Sequence, residues 1–96
     1  HKFMRRKSGN LVGHPVYVYG QNSRNYKYLT FTHTPKKGEE DDYDELLHNI
    51  DPDKEGVEAT YVKKRFNVGR LDLFRDPDKK YRIHPDDIPK IKKYKK

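Results

Sequence analysis

Three residues that can move a proton or contact a phosphate lie at the outer ends of one predicted β-hairpin, residues 14–34. His14 begins the first strand, and Thr32 and His33 end the second. An antiparallel pairing about the turn at 20–25 brings these ends together. Histidine exchanges a proton near neutral pH, and a hydroxyl can hydrogen-bond a phosphate oxygen. The spacing therefore predicts a catalytic group of His14, Thr32 and His33. The alternative is that the histidines only cap strand ends.

Both strands of this hairpin are rich in Val, Tyr, Phe and Thr, which fit a pleated and half-buried surface. The face expected to enter the core holds Val16, Val18, Leu29 and Phe31. The opposite face would hold Thr32 and the tyrosines of both strands. Tyrosine rings on such a face can stack on bases, or they can line a strongly curved barrel.

Charge is distributed unevenly along the chain, whose net charge is +7. Residues 1–37 hold eight Lys/Arg and no acid, residues 38–58 hold ten Asp/Glu and one lysine, and residues 59–96 hold thirteen Lys/Arg and five Asp/Glu. Basic surface attracts polyanions and is typical of nucleic-acid binding, although lysine-rich faces also serve solubility. The residues expected to bind nucleic acid are Arg24, Lys27, Lys63, Lys64, Arg65 and Arg70, with Tyr17 and Tyr28 as stacking residues.

With 96 residues, of which 31% are hydrophobic and 39% charged, we expect one domain with a small core. Residues 1–9 predict a flexible basic arm, with an edge strand reaching Leu11 and Val12 as the alternative. The domain itself spans 10–96. Its further short strands are expected at 46–50, at 57–68 with a break near Lys63, and at 81–83. A C-terminal helix is expected to begin near Asp86, so the fold class is mostly β.

The acidic run at 38–45 predicts a solvated loop, because closely spaced like charges repel. Carboxylates could bind calcium, but the run lacks the Asp-x-Asp-x-Asp-Gly register of an EF-hand loop. We therefore expect no metal site and no cofactor. A further reading is that the loop folds over the basic face and competes with nucleic acid.

Four segments resemble the toxin endoribonucleases of the MazF/PemK type, and together they extend over residues 11–94. They are the strand start at His14 and Pro15, the strand end at 31–34, the strand at 56–63 and the strand-to-helix junction at 81–88. The resemblance implies a small SH3-like, PemK-like barrel of five to six antiparallel strands with a short C-terminal helix.

The resemblance also implies metal-independent RNA cleavage, in which the 2′-hydroxyl attacks the adjacent phosphate and leaves a 2′,3′-cyclic phosphate. Thr32 matches the family's catalytic threonine, whereas the family's arginine falls on His14. A neutral histidine lacks arginine's permanent forked charge, which Arg24, Lys64 or Arg65 could supply from elsewhere. A member of this toxin-antitoxin family would also form a homodimer and bind an antitoxin protein.

Two functions are therefore predicted. The first is nucleic-acid binding, to RNA in preference to DNA, with endoribonuclease activity as its catalytic form. The second is a non-catalytic SH3-like module that binds an extended peptide through its tyrosines. The chain has no cysteine and no apolar run of about 20 residues, so we expect a cytoplasmic protein without membrane contact.

Overall fold

The computed structural model describes residues 1–7 and 14–95. Within these residues the chain forms seven β-strands and one α-helix. The strands are β1 (Lys2–Arg6), β2 (Pro15–Gln21), β3 (Asn25–Thr32), β4 (Tyr43–Glu45), β5 (Tyr61–Lys63), β6 (Asn67–Arg70) and β7 (Phe74–Arg75), and the helix is α1 (Ile88–Tyr94). No helix in this described part is long and apolar enough to cross a lipid bilayer.

β3 is the centre of the sheet, because it has partners along both edges. It pairs with β2 on one edge, while β6 and β5 share the other edge. The strand order is β4-β5-β3-β2-β1-β7, with β6 beside β3, and every pair is antiparallel. The predicted mostly β fold with a short C-terminal helix is confirmed.

The sheet is open, which differs from the expected closed barrel of five to six strands. Its end strands are β4 and β7, and no ladder joins them in the described ranges. Side chains of α1 lie against β4 instead: Lys90 Nζ donates to the Glu45 carbonyl at 2.6 Å, and the Tyr94 hydroxyl donates to Asp44 Oδ2 at 2.5 Å. The helix therefore occupies part of the place that a closing strand would need.

Both faces of the β2–β3 hairpin are buried. Val18 lies opposite Tyr28, and Tyr17 lies opposite Leu29. Paired residues share a face, so the two-residue alternation puts the valines and Leu29 on opposite faces. One core cluster comprises Met4, Val16, Val18, Tyr28 and Phe74, and the other comprises Leu29, Phe31, Leu46, Ile50, Val62, Ile91 and Tyr94. The expectation that Leu29 and Phe31 join the valines on one face was wrong, because the register pairs valine with tyrosine.

Residues 2–6 form an interior strand, which differs from the flexible arm expected at 1–9. β1 pairs with both β2 and β7. Met4 is buried, and the Phe3 ring packs against Phe31 and Tyr81 with centroids 5.6 Å from each. Burial of these two apolar side chains offsets the entropy lost in ordering the segment. Ser8 and Gly9 of the expected arm, and the alternative strand end at Leu11 and Val12, lie outside the described residues.

The strands predicted at 46–50 and 81–83 do not form. The Leu47 and His48 amides donate to the Asp87 carboxylate at 2.7 and 3.0 Å, and so they join no ladder. The Arg82 amide donates to the Ile50 carbonyl at 2.9 Å, which holds the two irregular segments side by side. The acidic run is also divided. Glu40–Asp42 form an exposed 3₁₀ turn, but Tyr43–Glu45 form β4 and not a solvated loop.

The break expected near Lys63 is present, because the chain bends between β5 and β6. Helix α1 begins at Ile88, two residues beyond the expected Asp86, after a 3₁₀ turn at Pro85–Asp87. Asp87 does not cap this helix. Its carboxylate is almost fully buried, at 1% exposure, and binds the 46–48 segment instead.

Asp87→Ala should lower the free energy of unfolding by about 3 kcal/mol, because two backbone amides lose a charged acceptor in a buried site. Asp72 is the matched control, since its exposed carboxylate only pairs with Arg70. Asp72→Ala should change the free energy by about 0.5 kcal/mol or less. Urea unfolding followed by circular dichroism measures both. Equal midpoints for the two variants would contradict the anchoring role of Asp87.

The hydrogen bond between Tyr94 and Asp44 should stabilise the fold between about pH 4 and pH 10. It lowers the pKa of Asp44, and it raises the pKa of Tyr94 to about 12. The stabilisation is therefore lost as pH falls below the ordinary aspartate value of 3.8, and again as pH rises from 10.0 towards about 12.

Tyr94→Phe should cost about 1 kcal/mol at pH 7. The difference in the free energy of unfolding between Tyr94→Phe and wild type should shrink outside the range from about pH 4 to pH 10. Unfolding curves at pH 3.5, 7 and 11 measure it, with Tyr61→Phe in β5 as a control that leaves the hydrogen bond between Tyr94 and Asp44 in place. A difference that stays constant across these three pH values would exclude this account.

Candidate functional site

A cleft of about 310 Å³ opens where β3 ends, and the three predicted catalytic residues all line it. Six charged side chains also line it: Arg5, Lys54 and Lys79, with Asp51, Glu58 and Asp78. The structure thus brings His14, Thr32 and His33 together, and adds cations that the sequence pattern did not single out.

Two strand ends position this group. β2 begins at Pro15, which lies opposite Arg5 of β1. On the other side, Thr32 ends β3 opposite Tyr61 of β5. If the register of β2 and β3 is extended by two residues beyond the pair of Val16 and Thr30, His14 is level with Thr32. The hairpin geometry therefore produces the convergence that its sequence predicted.

His14 is biased towards its neutral form. Burial lowers the pKa of His14 below 6.5, and the positive charges of His33 and Arg5 lower it further. Its Nδ1 is buried and has no hydrogen-bond partner among the described residues. A buried polar atom without a partner is rare in folded proteins. A neutral imidazole at pH 7 is the form that accepts a proton in general base catalysis.

Thr32 makes a local turn. Its Oγ1 accepts from the Thr34 amide at 3.2 Å and lies 3.3 Å from the Thr34 carbonyl, to which it donates. The side chain is nearly buried, whereas the next residue, His33, is exposed. The hydroxyl of Thr32 is thus engaged by backbone, and this turn fixes the chain that presents His33 to the cleft.

Two of the three cations of the cleft are paired with carboxylates. Arg5 Nη1 donates to Asp78 Oδ2 at 2.7 Å, and Lys79 Nζ lies 3.2 Å from Asp51 Oδ2. The hydrogen bond that Lys79 donates to Asp51 raises the pKa of Lys79, so this ammonium stays charged at neutral pH. The sequence pattern singled out neither cation, because Arg5 falls in the expected arm at 1–9 and Lys79 follows Asp76 and Pro77, residue types typical of a turn. The adjacent apolar residues Phe3 and Met4, one for each face of a strand, were the signal that 2–6 is ordered.

The predicted phosphate-binding residues lie along one edge of β3. Lys63 ends β5, and Lys64 and Arg65 lie in the bend between β5 and β6. Arg70 lies opposite Asn25 at the start of β3, and Arg24 is in the exposed hairpin turn. This row, which we call the basic edge, extends roughly 20 Å from the bend to the turn at the rise of a strand. Lys27 lies within it, with Nζ 4.9 Å from the Phe66 ring centroid.

The two tyrosines predicted to stack on bases occupy different environments. Tyr28 is a core residue at 3% exposure and meets Phe74 edge to face, with centroids 5.1 Å apart. This burial corrects its assignment to a binding surface, since it leaves no ring face for a base. Tyr17 is half-buried and contacts Phe3 at 5.2 Å between centroids.

Acidic residues border the basic edge at the bend. The Lys64 amide donates to the Asp42 carbonyl at 2.9 Å, and the side chains of Asp41 and Asp42 line one surface depression with Lys63–Arg65. The acidic run therefore lies beside part of the basic face. Whether it competes with nucleic acid stays a prediction.

Nuclear magnetic resonance (NMR) titration of the histidine side chains should give His14 a pKa below 6.5. The folded state then binds this proton more weakly than the unfolded chain, so the contribution of His14 to stability falls as pH drops through 6.5. His33→Ala should raise the pKa of His14 part of the way back, because one repelling charge is removed while burial remains. His84→Ala is the control and should leave the pKa unchanged. An unchanged value in His33→Ala would show that the two imidazoles do not interact.

Comparisons with protein-family models, with curated proteins and with solved structures give no match to this chain. The resemblance to the MazF/PemK toxins, and the homodimer and antitoxin partner that it implies, therefore stay predictions that rest on the four sequence segments alone.

Proposed function

We propose that the protein binds RNA along the basic edge of β3 and cleaves it in the adjacent cleft by acid–base chemistry. The observation that supports this most is the convergence of His14, His33 and Arg5 on one cleft. Their types match the needs of phosphodiester cleavage: a proton acceptor, a proton donor and a cation for the phosphate.

Neutral His14 is the general base in this proposal. It removes the proton from the ribose 2′-hydroxyl as the 2′-oxygen attacks the neighbouring phosphorus. The bond between phosphorus and the 5′-oxygen breaks, and His33, when protonated, gives its proton to that leaving oxygen. The products are a 2′,3′-cyclic phosphate and a free 5′-hydroxyl. DNA has no 2′-hydroxyl and is not a substrate.

Arg5 is the group that contacts the phosphate in the transition state. Its guanidinium is permanently charged, and its contact with Asp78 holds it at the cleft. This charge takes the place of the arginine that the toxin resemblance puts at His14. Thr32 acts as a positioning residue through its turn with Thr34. The role for Thr32 is thus to hold His33 in place and not to donate to the substrate.

The basic edge supplies affinity and orientation. Phosphate contacts by exposed lysine and arginine dominate nucleic-acid affinity and weaken with salt. Lys64 and Arg65 are both exposed at the end of this edge nearer the cleft. A strand bound along the edge would therefore lead its backbone towards His14 and His33.

The alternative function, a peptide-binding module that uses the tyrosines of the hairpin, receives less support. Tyr17 and Tyr19 pack against one core cluster, while Tyr26 and Tyr28 pack against the other. Aromatic side chains divided between two faces of a sheet do not make one groove for an extended peptide.

Fluorescence anisotropy with a single-stranded RNA should show binding that weakens as salt rises. Lys64→Ala/Arg65→Ala should reduce the slope of log K against log [salt] by about 1.4, which is two phosphate contacts to a single strand. Lys92→Ala/Lys93→Ala on α1 removes the same charge away from the basic edge and should leave that slope unchanged. Equal slopes for the two double variants, or no binding at low salt, would contradict the proposed interface.

Cleavage is tested with the same RNA in the presence of EDTA, with mass spectrometry of the ends. Wild type should leave 2′,3′-cyclic phosphates, and His14→Ala and His33→Ala should each reduce the rate by about 10²-fold or more. A 2′-O-methyl RNA should stay intact but still bind. RNA that is equally intact with wild type and both variants would remove the catalytic part of the proposal while leaving the binding part standing.

A further inference from the structure

A second cluster of ionisable side chains lies outside the cleft, where the segment before α1 meets the loop after β4. It contains His48, His84 and Asp86, and one ligand atom from each lies within 4.8 Å of the others. None of the three lines the His14 cleft. His48 precedes His84 by 36 residues, and Pro85 separates His84 from Asp86. No short sequence motif therefore joins all three residues.

The distances within this cluster match those of a small metal site. Asp86 Oδ2 lies 3.0 Å from His48 Nε2 and 3.5 Å from His84 Nδ1. Ligand atoms of a tetrahedral zinc site, with bonds of about 2.0–2.1 Å, are about 3.3 Å apart. Two of the three ligand-to-ligand distances are therefore already close to those of a loaded site.

His48 has the partner that metal-binding histidines usually have. Its Nδ1 lies 2.9 Å from Glu55 Oε1, and the other oxygen of Glu55 accepts from the Asn49 amide at 2.7 Å. A metal-ligating histidine commonly donates its second ring N–H to a carboxylate, which fixes the tautomer and the ring orientation. With its Nδ1–H on Glu55, His48 directs Nε2 at Asp86 Oδ2, and a metal ion would take the place of the hydrogen that now joins these two atoms. The His48 amide is also held by Asp87, at 3.0 Å.

His84 must turn to join the site. Its ring stacks on that of His48 with centroids 3.6 Å apart and an interplanar angle of 15°. Nitrogen lone pairs lie in the ring plane, so two parallel rings cannot both aim at one ion. Its Nδ1 now accepts from the Asp86 amide at 3.1 Å. This nitrogen therefore carries a lone pair and not a hydrogen. Rotation of the ring would let that lone pair bind a metal ion in place of the Asp86 amide.

We propose that His48, His84 and Asp86 bind a zinc ion, or a similar divalent transition metal, through His48 Nε2, His84 Nδ1 and Asp86 Oδ2. Two imidazoles and one carboxylate suit zinc better than calcium or magnesium, which prefer oxygen ligands. A water molecule would fill the fourth position. The three side chains are partly exposed, at 29%, 35% and 60%, so an ion has access from solvent. The ion would join the loop at 46–50 to the start of α1.

Zinc chloride titration by calorimetry tests this, with calcium and magnesium chloride as comparison ions. All proteins should have His1→Ala, because the His1 imidazole lies outside both clusters and can bind metal by itself. We expect one zinc ion per chain and no saturable heat with calcium or magnesium. Asp86→Asn and His84→Ala should each weaken zinc binding by more than tenfold. Glu55→Gln removes the carboxylate partner of His48 and leaves the three ligands unchanged, and it should weaken zinc binding by about tenfold to a hundredfold.

The matched control is His33→Ala, which removes an exposed histidine of the other cluster and should leave zinc affinity unchanged. NMR of the unmutated side chains gives a second measurement that does not depend on the variants folding. Zinc should shift the ring signals of His48 and His84. Shifts confined to His14 and His33, equal affinity in Asp86→Asn and wild type, or no saturable zinc binding would each overturn the site.

Discussion

The rest of the structure depends on the burial of β3 on both edges and both faces. It hydrogen-bonds β2 along one edge and β6 and β5 along the other, and its side chains enter both core clusters. In a short chain with few apolar residues, a strand that is buried on both faces contributes the most to stability, because the side chains on each face are then removed from water. β3 is paired as far as Thr32, and the candidate site lies at that end.

Ion pairs determine how the charged side chains of the candidate site are arranged. Two acids of the cleft, Asp78 and Asp51, pair with Arg5 and Lys79, whereas His14 lies near the positive charges of His33 and Arg5. The consequence is that His14 binds a proton more weakly than a histidine in water does. For His48 the shift is in the other direction, because the hydrogen bonds that it makes with the carboxylates of Glu55 and Asp86 raise its pKa. Histidines of this small domain thus lie in two different electrostatic surroundings.

Carboxylates that look alike in the sequence have different tasks. Asp86 and Asp87 both adjoin the start of the helix, where aspartates often act as caps, but Asp87 is buried on two amides of the 46–48 segment, and Asp86 faces His48. Asp44, within the acidic run, accepts from Tyr94 and so attaches the C-terminal helix to β4. Local patterns could not reveal these partners, because each lies about 40 to 50 residues away in the chain.

The sequence by itself determined the β character, the hairpin at 14–34, the bend near Lys63 and the C-terminal helix, since each follows from local residue preference and turn chemistry. It also determined that His14, Thr32 and His33 would be neighbours, because a hairpin brings the outer ends of its strands together. Only the tertiary structure decided that 2–6 is a strand, that 46–50 is not, that the sheet is open and that Tyr28 is buried. Those outcomes depend on register and on contacts between distant segments. A shift of one residue in register exchanges the two faces of a strand without changing its sequence.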